Sequence, residues 1–199
     1  MNRSWIFLGM TVIALQCKNP PEKKDNSSTE GVEQSSHLPV REILLDDLKK
    51  VDSSYTVILM KTEEEGKRDS SYIPLDTFKR WATSLLPHAL DSAIFHSCFS
   101  ETSFKDESTG MFQFIYEDTS YKTDLRKMIV YIKPGTGNDH VHRIYLESGN
   151  LETTGIWKRK VIWNMEHYIL VMDSRKKEQE KETIRISRAI WDPAYFSEE

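Results

Sequence analysis

From Asp91 onward the chain repeats one grammar, in which short runs rich in aromatic and β-branched residues alternate with polar turns. The runs fall at 93–99, 111–117, 127–133, 141–147, 156–163, 167–172 and 183–191. Segments of this length and composition, bounded by turn residues, are predicted strands. The links between them are too short to hold crossover helices, so successive strands must run antiparallel. Pro134-Gly135-Thr136-Gly137-Asn138-Asp139 and Ser148-Gly149-Asn150 are predicted loops. Asn164-Met165-Glu166 is the tightest hairpin link, and the charged stretch 175–181 is a longer exposed one.

Upstream the periodicity changes. Val40, Ile43, Leu44, Leu48 and Val51 recur at helical spacing, with Glu42, Asp46, Asp47, Lys49 and Lys50 at the other positions, which predicts an amphipathic helix over 39–51. Residues 55–61 are predicted to be a strand that ends at the turn signal 63–66. Leu75, Phe78, Ala82 and Leu85 define one face of a second helix between Pro74 and Pro87. Helices first and strands afterwards predict an α+β fold, with one or two N-terminal helices on a mostly antiparallel, meander-like sheet of about six to eight strands. Several strands are apolar on both faces. Phe112, Phe114 and Tyr116 share one side, and Tyr168, Leu170 and Met172 oppose His167, Ile169 and Val171. Helices cover only one side of such a sheet, so a half-barrel with a concave apolar pocket is the alternative architecture. Core packing is the plainer account of the same residues.

The region before Pro39 cannot join that core. Residues 18–38 hold one Val and one Leu among Lys, Asn, Pro, Glu and Ser, too little apolar surface to offset the entropy of ordering, and are expected to form a flexible tether. Ahead of them Arg3 precedes an apolar run from Trp5 to Leu15, followed by Gln16-Cys17. A run this short falls well below the roughly 20 residues needed to span a bilayer, and a positive start before a short apolar stretch marks a secretory signal. The stretch Ile13-Ala14-Leu15-Gln16-Cys17 resembles the lipobox of bacterial lipoproteins, with Gln16 where that family usually has Gly, Ala or Ser. The resemblance covers the first 17 residues. It implies a diacylglycerol thioether on Cys17, cleavage before it by signal peptidase II, and an extracytoplasmic place in the cell envelope, held to a membrane through the lipid. The organisation expected is a signal peptide at 1–16, the lipidated cysteine and tether at 17–38, and a single α+β domain at 39–199.

Composition sets the remaining bounds. At 38% hydrophobic and 29% charged residues the body belongs to the ordinary globular class, and a net charge of −4 gives no reason to expect a nucleic-acid partner. With two cysteines in all and Cys17 assigned to lipid, Cys98 is left without a disulfide partner and is expected to be a small buried hydrophobe in the strand 93–99.

The search for chemistry yields little. His140 and His142, spaced i, i+2 on a strand, point the same way and form a candidate metal pair, although a working site needs further ligands. His96 and Cys98 share the same spacing, the beginning of a thiolate–imidazole nucleophile that lacks a third member. Trp157, Lys158 and Arg159 form a candidate surface contact for headgroups, sugars or another protein. Their plainer reading is a charged strand face that resists edge aggregation. No phosphate loop, Gly-x-Ser-x-Gly elbow, His-Glu-x-x-His helix or Cys-x-x-Cys pair is present in the sequence, and no cofactor is indicated. These features predict a membrane-anchored, non-enzymatic interaction or structural module working with an envelope protein or lipid. A carrier of lipid or another amphiphile and a metal-dependent enzyme using His140 and His142 are the alternatives.

Overall fold

A computed structural model describes residues 37–54, 57–90, 92–120, 122–135, 140–152, 155–177 and 180–197. The signal-like segment, Cys17 and the tether up to Ser36 lie outside the described residues. His37 and Leu38, assigned to the tether from sequence, belong to the packed body that begins at His37.

Helix α1 (Val40–Ser54) leads into the hairpin β1 (Ile58–Glu64) and β2 (Lys67–Ile73). Helix α2 (Leu75–Thr83), a 3₁₀ turn at His88–Leu90 and helix α3 (Ser92–Cys98) follow. The rest is a meander: β3 (Phe99–Lys105), β4 (Phe112–Asp118), β5 (Leu125–Lys133), β6 (His140–Glu152), β7 (Gly155–Asn164), β8 (Tyr168–Lys177) and β9 (Thr183–Ile190). All nine strands lie in one antiparallel sheet of order β2-β1-β9-β8-β7-β6-β5-β4-β3. The α+β class therefore stands, with nine strands where the sequence reading has six to eight. Strand β9 returns beside β1, so β2 and β3 form opposite edges. The α2–α3 segment must carry the chain from one edge to the other, a distance of about 38 Å for eight strand spacings.

That crossover lies on the same side as α1, and the two together close a single core. Phe78, Ala82, Leu85, Ala89, Leu90 and Phe95 from the crossover join Val40, Leu44, Leu48 and Val51 from α1. The sheet contributes Tyr116, Met128, Val130, Ile144, Leu146, Val161, Trp163, Ile169, Val171 and Ala189. Alternation in each strand sends these residues to one face only.

Two strands and one helix differ from the sequence reading for identifiable reasons. Strand β2 is almost wholly exposed and polar, so no apolar alternation marks it. A two-residue turn at Glu65 and Gly66, both with positive φ, folds it onto β1, and its charges suit a sheet edge. Residues 93–98 are helical rather than extended. Of that run Phe95 is buried with Phe99, four residues on, while Ala93 and Ser97 are exposed, a spacing of four that a strand would not give. Strand β3 begins at Phe99, where the predicted strand ends. Ser148-Gly149-Asn150 is not a loop but part of β6. A Cβ on Gly149 would sit 3.1 Å from the Trp157 carbonyl oxygen, and glycine lets the two backbones pair at this level.

Two buried carboxylates fix the geometry around them, one between layers and one within a loop. Asp47, 1% exposed, lies on the inner face of α1, where it accepts hydrogen bonds from the Trp163 indole Nε1 at 2.7 Å and from the Glu166 backbone N at 3.1 Å. One turn on, Lys50 Nζ meets Glu166 Oε1 at 2.9 Å. The helix is thereby pinned to the β7–β8 turn. Asp118 ends β4 and accepts from the Ser120 and Thr123 backbone N–H groups and hydroxyls, with Arg126 at 3.2 Å, which shapes the β4–β5 connection.

The two carboxyls are shifted in opposite directions. Burial pushes Asp47 above the usual range despite its two donors. For Asp118 burial also acts upward, but the hydrogen bonds from Ser120 and Thr123 together outweigh it and hold the group low. Asp47→Ala leaves two inward donors unpaired and should cost about 2–4 kcal/mol. Because the raised Asp47 pKa favours the folded state only while the group is protonated, this cost should shrink as pH rises through that pKa. Asp118→Asn should show the reverse, costing most near neutrality and least after pH has fallen through the native Asp118 value. Urea titrations of both variants between about pH 3 and 7 check the two signs.

Candidate functional site

The histidines singled out from sequence meet at the end of the sheet where α1 is clasped. His140 opens β6, and His142 occupies an irregular position where the β5–β6 register shifts between Tyr131 and Ile132. Both line a depression of about 560 Å³ together with Asp46, Asp47 and Lys50 of α1, Lys133 of β5, and Glu166 and His167 of the β7–β8 turn. His167 could not be brought to this place by spacing alone. The backbone does so through the hydrogen bond from Met165 N to the His142 carbonyl at 3.1 Å. His167 Nδ1 is itself held 2.8 Å from Asp192 Oδ2. Among the described residues no group of three His, Cys, Asp or Glu is arranged to hold a metal ion. The depression is better described as a mixed-charge polar pocket.

Burial lowers the His142 pKa, and the positive charges of Arg143, Lys133 and His167 push it the same way.

His96 and Cys98 do not form a nucleophilic pair. Two positions apart on α3 they diverge, His96 stacking on His37 with ring centroids 4.5 Å apart while Cys98 Sγ lies 3.5 Å from Ser97 Oγ. Cys98 is partly exposed rather than shielded, and hydrogen bonds from Ser120 and then Ser97 lower its pKa.

Trp157, Lys158 and Arg159 are split between the two faces of β7 by strand alternation. Trp157 and Arg159 share the helix-bearing side, beyond the packed core. Arg159 forms a two-pronged pair with Asp173 at 2.7 and 3.3 Å and lies 5.4 Å from the Trp157 ring centroid, so its charge is already answered within the chain. Lys158 is on the other side with Lys160.

Among the described residues that other side carries no second layer. Its central row runs Ile115, Ile129, Tyr145, Ile162, Leu170 from β4 to β8, all half-buried and in register. On one flank runs a charged row, Glu117, Lys127, Glu147, Lys160, continued by Met172. Lys127 Nζ meets Glu117 Oε1 at 2.8 Å, and the Tyr145 hydroxyl donates to Glu147 Oε2 at 2.7 Å. On the other flank Arg143 lies 4.5 Å over Tyr131 and Arg188 lies 4.2 Å over Tyr168. Met172 and Ile184 are 39% and 44% exposed. A depression on this side of about 750 Å³ carries Lys61, Glu63, Arg68, Asp69 and Arg188 around Tyr168, Leu170 and Ile186.

Sequence reasoning found the two-sided apolar strands but not this row structure, since rows depend on register. The signal that could have exposed Asp47 is the spacing Leu44, Asp47, Val51, which places the carboxylate within the apolar stripe of α1 rather than on its outer side.

Comparison with protein-family models, with curated proteins and with solved structures gives no match. For His142 the expected outcome is an imidazole that titrates below the ordinary value of 6.5 in a proton NMR series. Lys133→Met should move it back upward by removing one of the charges that hold it down.

Proposed function

We propose that this chain is a membrane-anchored envelope lipoprotein, lipidated at Cys17, whose α+β domain serves as a non-enzymatic interaction module. The observation that carries the reading is the order Arg3, apolar run from Trp5 to Leu15, Cys17, ahead of a polar stretch and a separately packed body starting at His37. Two features of the body support it. No helix among the described residues is long and apolar enough to cross a membrane. Among the described residues no second layer covers the other sheet face, where Lys158, Ile156 and Met172 are exposed and offer broad contact.

A half-barrel carrier is less well supported. A carrier needs an enclosed apolar cavity, whereas the depression of about 750 Å³ on this face is open and rimmed by five charged residues. A metal-dependent reaction at His140 and His142 would need ligands beyond those the described residues bring together.

Palmitate labelling of cells tests the anchor. The wild-type chain should take up label and stay with membranes, and mass spectrometry should find a diacylglyceryl-modified Cys17 at the mature N-terminus. Cys17→Ser should lose the label altogether and keep its precursor size. A labelled Cys17→Ser protein, or an unlabelled wild type, would refute the anchor.

A further inference from the structure

From the uncovered sheet face we infer that the partner it fits is a second copy of this chain, packed sheet to sheet about a two-fold axis between β5 and β6. The inference names the partner of the proposed interaction module and rests on that reading. Glu117, Lys127, Glu147 and Lys160 occupy one level of four adjacent strands, with signs that alternate. The row has an end on either side, because the neighbouring positions are Ser100 on β3 and Met172 on β8.

A two-fold axis in the interface, parallel to the strands, preserves each level and reverses the order of the strands. Set between β5 and β6, it brings Lys127 opposite Glu147 of the second copy and Glu117 opposite Lys160. Every charge then meets its opposite. The same operation puts Ile129 against Tyr145 and Ile115 against Ile162 at the apolar level, so the isologous condition of a two-fold interface is met at both levels. Shifting the axis onto β5 instead sets Lys127 against Lys127 and Glu117 against Glu147, so like charges penalise the nearest wrong register. Aligned sheets cross at about 30°, which displaces the outer charge pairs by only about 4 Å, within the reach of lysine.

Area agrees with this. Overlap of six strands at about 4.8 Å spacing and three side-chain levels gives a footprint on the order of 600 Å² per copy. The total of about 1,200 Å² exceeds the roughly 1,000 Å² of a specific interface. A bilayer fits the face less well, since it would strip water from a row of alternating carboxylates and lysines without offering both signs of charge in register.

Sedimentation equilibrium of the full chain in mild detergent tests the proposal, with circular dichroism confirming that each variant is folded. The wild type should reach twice the mass of its own mature monomer at micromolar concentration. Lys127→Glu should weaken association at least about tenfold by placing Glu against Glu147. Adding Glu147→Lys to that variant should restore it, although the swap places like charges side by side within each copy. A wild type that stays monomeric to about 100 μM overturns the proposal, as does a dimer indifferent to Lys127→Glu or one that the double exchange fails to rescue. A Cys17→Ser chain that stays monomeric, and whose flotation with phosphatidylglycerol vesicles is lost when Lys127→Glu and Lys160→Glu are added, also overturns it, since the face and not the retained apolar segment would then bind lipid. Palmitate uptake does not depend on these results, so a failed dimer leaves the anchor standing and a failed anchor leaves the self-association measurable.

Discussion

The hydrogen bond from the Trp163 indole to the buried Asp47 carboxylate is the contact on which the rest of this structure depends. A helix resting on a sheet by apolar packing alone can slide or rotate at little cost, because that packing is not directional. Asp47 removes this freedom. Its second oxygen takes the Glu166 backbone N–H, and Glu166 in turn receives Lys50, so α1 is tied at two levels to the turn between β7 and β8. Burying a carboxylate is costly, which is why its pKa is raised, yet the two donors would be left unpaired without it. Specific seating of the helix and a polar histidine pocket at its end are thus two results of one arrangement.

With α1 seated and the α2–α3 crossover laid beside it, all helices lie on one side of nine strands. The opposite side has no second layer among the described residues, and its composition agrees with that. Half-buried aliphatic residues occupy one level, while carboxylates and lysines occupy the next. A face intended for the interior would not carry Glu117, Lys127, Glu147 and Lys160, and a face meant only for water would not carry Ile115, Ile129, Ile162 and Leu170. Such a mixture of apolar and alternating charged rows suits contact with another folded surface better than it suits a lipid pocket or a catalytic cleft.

The parts of the fold visible in the sequence are those where burial leaves a period. The meander from 111 to 191 and the stripe Val40, Leu44, Leu48, Val51 are of that kind, and their boundaries agree with the structure to within a few residues, apart from the longer ends of β6 and β8. What escaped is what burial does not mark. Strand β2 is polar on both faces because it is an edge, and α3 was mistaken for a strand because a short apolar run has no reliable period. The candidate site was less legible still. His140 and His142 were visible as a pair, but His167 and Asp47 join them only through strand pairing and helix seating, which are long-range events. Trp157 and Arg159 drew notice as exposed chemistry, whereas Asp173, fourteen residues further along, already engages the arginine.

The seating of α1 by Asp47 is open to a direct measurement, the hydrogen exchange of the Trp163 indole N–H in the native protein. Bound to a buried carboxylate beneath a packed helix, that proton should exchange only when the whole domain opens, at the rate of the slowest backbone amides in β6 and β7. An indole proton lost orders of magnitude sooner than those amides would show that the helix lifts away while the sheet stays intact, and would contradict this account of what holds the two layers together.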